Sequence, residues 1–159
     1  SFSDNFGGPL REDQIRYLAA FIMNWEETAD FIPAPEAAAA GAGVGTDITK
    51  ELPAGNAGAG EALASSLGCV ACHIATPTGP AWLASASEPG IGTRAAERIS
   101  EPDYTGKATT AEQYLFESIA DPHVFVVPGF SQGIMPDTYA NSLTDQDMAD
   151  LIAYLLSLK

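Results

Sequence analysis

Two stretches of the chain share one pattern of apolar and polar positions. In "PLREDQIRYLAAFIMNW" (residues 9–25), Ile15, Leu18, Ala19, Ile22 and Trp25 recur at three- and four-residue intervals. In "SLTDQDMADLIAYLLSL" (142–158), Met148, Leu151, Ile152, Leu155 and Leu158 repeat that spacing position for position. Each stretch predicts an amphipathic helix. Leu10 falls on Leu143, Glu12 on Asp145 and Phe21 on Tyr154, so the first stretch reads as the terminal helix of a second, upstream unit. Shorter helices are expected over Glu61–Leu67, stopped at Gly68, and over Thr93–Ile99, before Pro102. Thr109 with Glu112 forms a capping box for a helix that ends at Asp121-Pro122. Thr144 with Asp147 caps the last helix, which runs to the C-terminus. "VFVV" (124–127) has the composition of a strand but no strand to pair with. The expected class is all-α with long loops.

Between the helical regions, residues 33–58 are rich in Ala, Gly and Pro and poor in core-forming side chains, the composition of a linker. Its "GAGVG" follows no apolar strand and precedes no Gly-Lys-Ser/Thr, so it is not read as a phosphate loop. The chain thus divides into an N-terminal helical segment (1–32), a linker (33–58) and a domain (59–159). A formal charge of −14 over 159 residues disfavours nucleic acid and anionic membrane surfaces and favours basic or mixed-charge partner proteins. No apolar run approaches the roughly 18–20 residues of a membrane span.

The only two cysteines stand in "CVACH" as Cys69 and Cys72, with His73 next. A redox dithiol of this spacing belongs to a fold of alternating strands and helices, which this pattern lacks. A zinc site would need His123 as its fourth ligand and would force adjacent Cys72 and His73 onto one small ion. The remaining reading of Cys-x-x-Cys-His is covalent attachment of one heme through two thioethers, with His73 bound to the iron. For a second iron ligand the candidates are Met23, Met135, Met148 and His123. Met148 fits the core face of the last helix, Met23 precedes the linker, and His123 reads as a surface or cap residue beside Pro122. Met135, in "SQGIMPDTY", lies in a loop where no packing period accounts for it, and is the preferred ligand.

With these residues in place, the sequence resembles the class I c-type cytochromes. The resemblance rests on "GEALASSLGCVACH", on Gly79-Pro80, on Met135-Pro136 and on "LTDQDMADLIAYLLSL", in the family's order across about the last 100 residues. It implies a small helical fold around one heme, with the first and last helices crossing. It also implies that the Pro80 carbonyl accepts the second ring N–H of His73. Ala64 stands where the family usually has an aromatic, so the helix crossing is expected to be underfilled unless Tyr154 supplies volume. In the long segment 82–104, Arg94 is the candidate partner of a heme propionate, with Trp82 or Tyr104 as hydrogen-bond donors. "ESIADPHVFVVPGF", followed by "MP" and the terminal helix, looks like cytochrome domains of membrane respiratory complexes. Heme-copper oxidase subunits and the monoheme subunit of alternative complex III are examples.

The expected function is one-electron transfer through a His73/Met135-ligated heme c between redox partner proteins, as a subunit or tethered domain of a membrane complex. Heme attachment places such a chain outside the cytoplasm. The alternative is a heme enzyme or gas sensor with an open sixth position, for which no distal His-Arg pair or catalytic carboxylate is recognisable.

Overall fold

The structure, a computed structural model, describes residues 43–76 and 78–159. The N-terminal helical segment, with Met23, and the first part of the linker lie outside the described residues. The described elements are α1 (Ala57–Ser66), a π-helical turn (Ala71–Ala75), α2 (Ile91–Arg98), α3 (Ala111–Ala120), α4 (Tyr139–Ser142) and α5 (Asp145–Ser157). No strand occurs among the described residues, and the domain is all-α. Residues 124–127 run as loop: with no partner to complete a ladder, Phe125, Val126 and Val127 turn their apolar side chains to the wall of a cavity.

α1 begins four residues ahead of the expected Glu61 because Asn56 caps it, accepting from the N–H groups of Gly58 (2.9 Å) and Ala59 (3.1 Å). The cap is itself fixed: the Asn56 N–H donates to Asp150 Oδ1 on α5 at 2.7 Å. α1 packs on α5 so closely that a Cβ at Gly60 would overlap the Asp150 carbonyl oxygen. This closeness answers the expected gap at Ala64, which is wholly buried: two small residues bring the backbones together, and Tyr154 lies edge-on to Trp82 at 6.2 Å.

The linker reading covers residues 43–58, yet the described chain there is packed on the domain. Val44 is buried, its N–H donating to the Leu143 carbonyl at 2.8 Å, and Lys50 Nζ pairs with Asp145 at 2.6 Å. A low-complexity composition hid three apolar anchors, Val44, Ile48 and Leu52, and a set of backbone bonds that need no particular side chain.

α3 is capped by Thr110, one residue later than expected. Thr110 Oγ1 accepts from the Gln113 N–H at 3.3 Å, while Gln113 Oε1 takes the N–H of Thr109 at 2.9 Å, so Gln113 fills the place expected of Glu112. The box at α5 is as expected, with Thr144 N–H to Asp147 Oδ2 at 2.9 Å and Asp147 N–H to Thr144 Oγ1 at 3.1 Å. Met148, wholly buried, sits in the core with Phe116, Leu151 and Leu155.

One buried carboxylate organises the loop before α3. Glu117, 5% exposed, accepts from the Tyr104 hydroxyl through Oε2 and from the Lys107 N–H through Oε1 at 2.9 Å, and the Tyr104 oxygen takes the Ala108 N–H at 3.0 Å. The Lys107 and Ala108 N–H groups of the turn are thereby satisfied. Burial, reinforced by the hydrogen bond to Glu117, pushes Tyr104 up to about 12.

Gly58→Ala, where the added methyl meets only open space and the cap, should stabilise the domain by roughly 0.5–1 kcal/mol. Gly60→Ala should cost about 1–3 kcal/mol despite its better helix propensity, because backbone must move; denaturant unfolding of the pair measures both. Above pH 10 the unfolded chain releases a Tyr104 proton that the folded chain keeps, so this contribution is intact below pH 10 and is lost as pH rises toward about 12. Thermal unfolding of Tyr104→Phe should therefore be less stable than wild type at neutral pH yet show a shallower decline between pH 10 and 12.

Candidate functional site

α1 ends at Ser66 and the chain turns through Gly68, which delivers Cys69 and then the π-helical turn carrying Cys72 and His73. Both thiols are free and half-buried. They border a cavity of about 320 Å3 whose wall also holds His73, Trp82, Ile119, Phe125, Met135 and Leu151. The lining is chiefly apolar, with polar atoms confined to a few groups.

His73 is the most constrained of these groups. Its Nδ1 lies 2.8 Å from the Pro80 carbonyl oxygen. A carbonyl only accepts, so Nδ1 carries the proton and Nε2 is left with a free lone pair. Burial lowers the basicity of the ring against the opposing pull of the Pro80 carbonyl, which keeps the imidazole neutral. The indole of Trp82 lies over the ring at 4.7 Å and 9°. On the other side a Cβ at Gly79 would come 2.8 Å from His73 Cε1, so only glycine lets the strap pass this close.

Burial pushes the Cys69 thiol up, against the opposing pull of its own backbone N–H and then of the Tyr139 hydroxyl. Such a thiol is a poor attacking nucleophile, which argues against a catalytic dithiol. Among the described residues no group of three or more His, Cys, Asp or Glu side chains is placed to hold a metal ion by itself. A half-buried neutral imidazole with its lone pair free, a thioether and two thiols around an apolar cavity is a donor set suited to a porphyrin iron.

Of the residues singled out in sequence, Cys69, Cys72, His73, Pro80 and Met135 all border this one cavity. His123, expected as a surface or cap residue, is exposed but stands on the same wall, with Nε2 3.8 Å from Asp137 Oδ2. Arg94 is buried on α2 and is not on the wall; its Nη2 donates to the Ala81 carbonyl and its Nη1 lies 3.2 Å from Glu88 Oε2. Its Nε is buried without a partner among the described residues. Tyr104, expected as a propionate donor, has its hydroxyl taken by Glu117 and does not line the cavity. Sequence reading missed Glu117, Tyr139 and Phe125. The first two carry no spacing signal, whereas "VFVV" marked Phe125 as apolar without saying what it faced.

No helix among the described residues is long and apolar enough to cross a membrane. No curated protein and no solved structure matches the chain. The family model of cytochrome c matches residues 57–159, from the first residue of α1 to the last of the chain. Since that span is well over half of the chain and holds the whole cavity, this chain belongs to the cytochrome c family: its cofactor is covalently bound heme c, and it serves heme-based electron transfer.

Proposed function

We propose that this chain is a one-electron carrier in which His73 and Met135 both ligate the iron, passing electrons between redox proteins on the outer side of a cytoplasmic membrane. The observation that carries the reading is the fixed His73 ring. With Nδ1 committed to Pro80, only Nε2 is available to a metal, and Met135 is the thioether on the same cavity. The heme supplies a ferric/ferrous couple. Cys69 and Cys72 hold it as thioethers, the Pro80 carbonyl and Trp82 hold the imidazole in one orientation, and Phe125, Val126 and Leu151 keep water from the site. A thioether ligand and an apolar wall both favour the ferrous state and raise the potential.

The net charge of −14 favours basic or mixed-charge partner surfaces. We place the chain as a subunit or tethered domain of a membrane electron-transport complex on the likeness of its 117–130 segment to such domains. Cytochrome c domains are usually extracytoplasmic, which agrees with this location.

Met135→Ala should open the iron to cyanide and carbon monoxide and lower the midpoint potential, whereas Met148→Leu should leave the spectra intact and cost under about 1.5 kcal/mol. Unchanged ferric and ferrous spectra in Met135→Ala would refute the assignment, and a change in His123→Ala instead would make the ligands a histidine pair. Stopped-flow oxidation by a basic redox protein should slow as salt rises, by about 10- to 1,000-fold between low and high ionic strength; a flat salt profile contradicts a basic partner.

A further inference from the structure

Three contacts on the His73 ring come from a four-residue strap, 79–82. The Gly79 N–H donates to the Cys72 carbonyl at 3.0 Å, and the Trp82 N–H to the His73 carbonyl at 2.9 Å. Pro80 takes the ring proton and Trp82 covers the ring face. These contacts hold the strap to the histidine; a second set holds it from behind. The Ile91 N–H donates to the Trp82 carbonyl at 2.8 Å, and the guanidinium of Arg94 reaches the Ala81 carbonyl through Nη2 and Glu88 through Nη1.

The Arg94 side chain is 7% exposed, whereas that of Glu88 is 60% exposed. A guanidinium so withdrawn from water is costly unless its donors are used. Two of its nitrogens are spent on the two ends of the loop that runs from the strap to α2. Arginine can do this because its fork is planar and rigid; a lysine ammonium on a flexible stem offers a point charge without that fixed spread.

We propose that Arg94 is a positioning residue for His73: by gripping the Ala81 carbonyl it holds Pro80 and Trp82, the residues on either side, against the His73 ring. The inference rests on the reading of His73 as an iron ligand. It is separate from a propionate contact, since it works through the Nη atoms and the backbone, not through Nε.

The test uses the full-length ferrous holoprotein and follows solvent exchange of the His73 Nδ1 proton by NMR, with the α5 amides as a monitor of global opening. Arg94→Lys keeps the charge and loses the fork. It should speed Nδ1–H exchange by roughly tenfold or more, as expected for loss of one charge-assisted hydrogen bond, while the α5 amides and the ligand-sensitive absorption bands stay put. Arg94→Gln should do at least as much, and Glu88→Gln should stay within about threefold because its carboxylate is mostly in water. If Arg94→Gln fails to fold, Arg94→Lys decides alone. Exchange within about twofold of wild type in the folded Arg94 variants overturns the proposal, as does a parallel rise in the α5 amides, which marks mere loss of stability. A wild-type ferrous protein without a heme-shifted His73 Nδ1 proton overturns the ligation reading and the inference with it, an outcome recognisable before any variant is made.

Discussion

The close approach of α1 to α5 is the constraint from which the site follows. Gly60 lets the α1 backbone rest on the Asp150 carbonyl, Ala64 fills the crossing without spare volume, and Asn56 ties the start of α1 to Asp150. Once that pair is seated, the end of α1 has one place and one direction, so Cys69, Cys72 and His73 arrive at the mouth of the cavity together. The opposite wall comes from α3, the 122–127 loop and the Met135 loop, which carry no such anchor to α1 and depend on packing with α5 and on the Glu117 bonds.

How much of this could be read in the chain depended on how local each interaction is. The Cys69, Cys72 and His73 motif was legible because its chemistry is confined to five consecutive residues. Thr144 with Asp147 and the buried Met148 were legible because capping and helical periodicity act within one or two turns. The N-cap of α3 slipped by one residue because Thr109 and Thr110 are chemically equal, and only the reach of Gln113 decides between them. The start of α1 was hidden because Asn-Ala-Gly-Ala-Gly has the composition of a linker, and its cap and Gly60 gain value only from Asp150 on the distant α5. Glu117 with Tyr104, and Arg94 with Ala81, were illegible for the same reason: a buried charge is tolerated by partners brought to it by the fold.

The site joins two kinds of order. Around His73 the ring is held by a carbonyl, an indole and a glycine that admits nothing larger, so its orientation is set before any metal is bound. Around Met135 the chain is an exposed loop in which Met135 alone is half-buried, between exposed Ile134 and Pro136. The chain itself thus fixes the imidazole, whereas the Met135 side chain is held only as firmly as its loop.

The Asn56–Asp150 bond also has a kinetic side. It joins residues 94 apart, whereas the Tyr104–Glu117 bond joins residues 13 apart. Chain closure at the larger separation costs about 1.8 kcal/mol more in entropy, from the logarithmic growth of that cost with loop length. The contact that places the heme-binding turn is thus among the most non-local in the domain, and topologies that close their ends in this way fold more slowly than those built from neighbouring turns. The loop before α3 closes over a short span of chain, whereas the cavity depends on the meeting of α1 with α5.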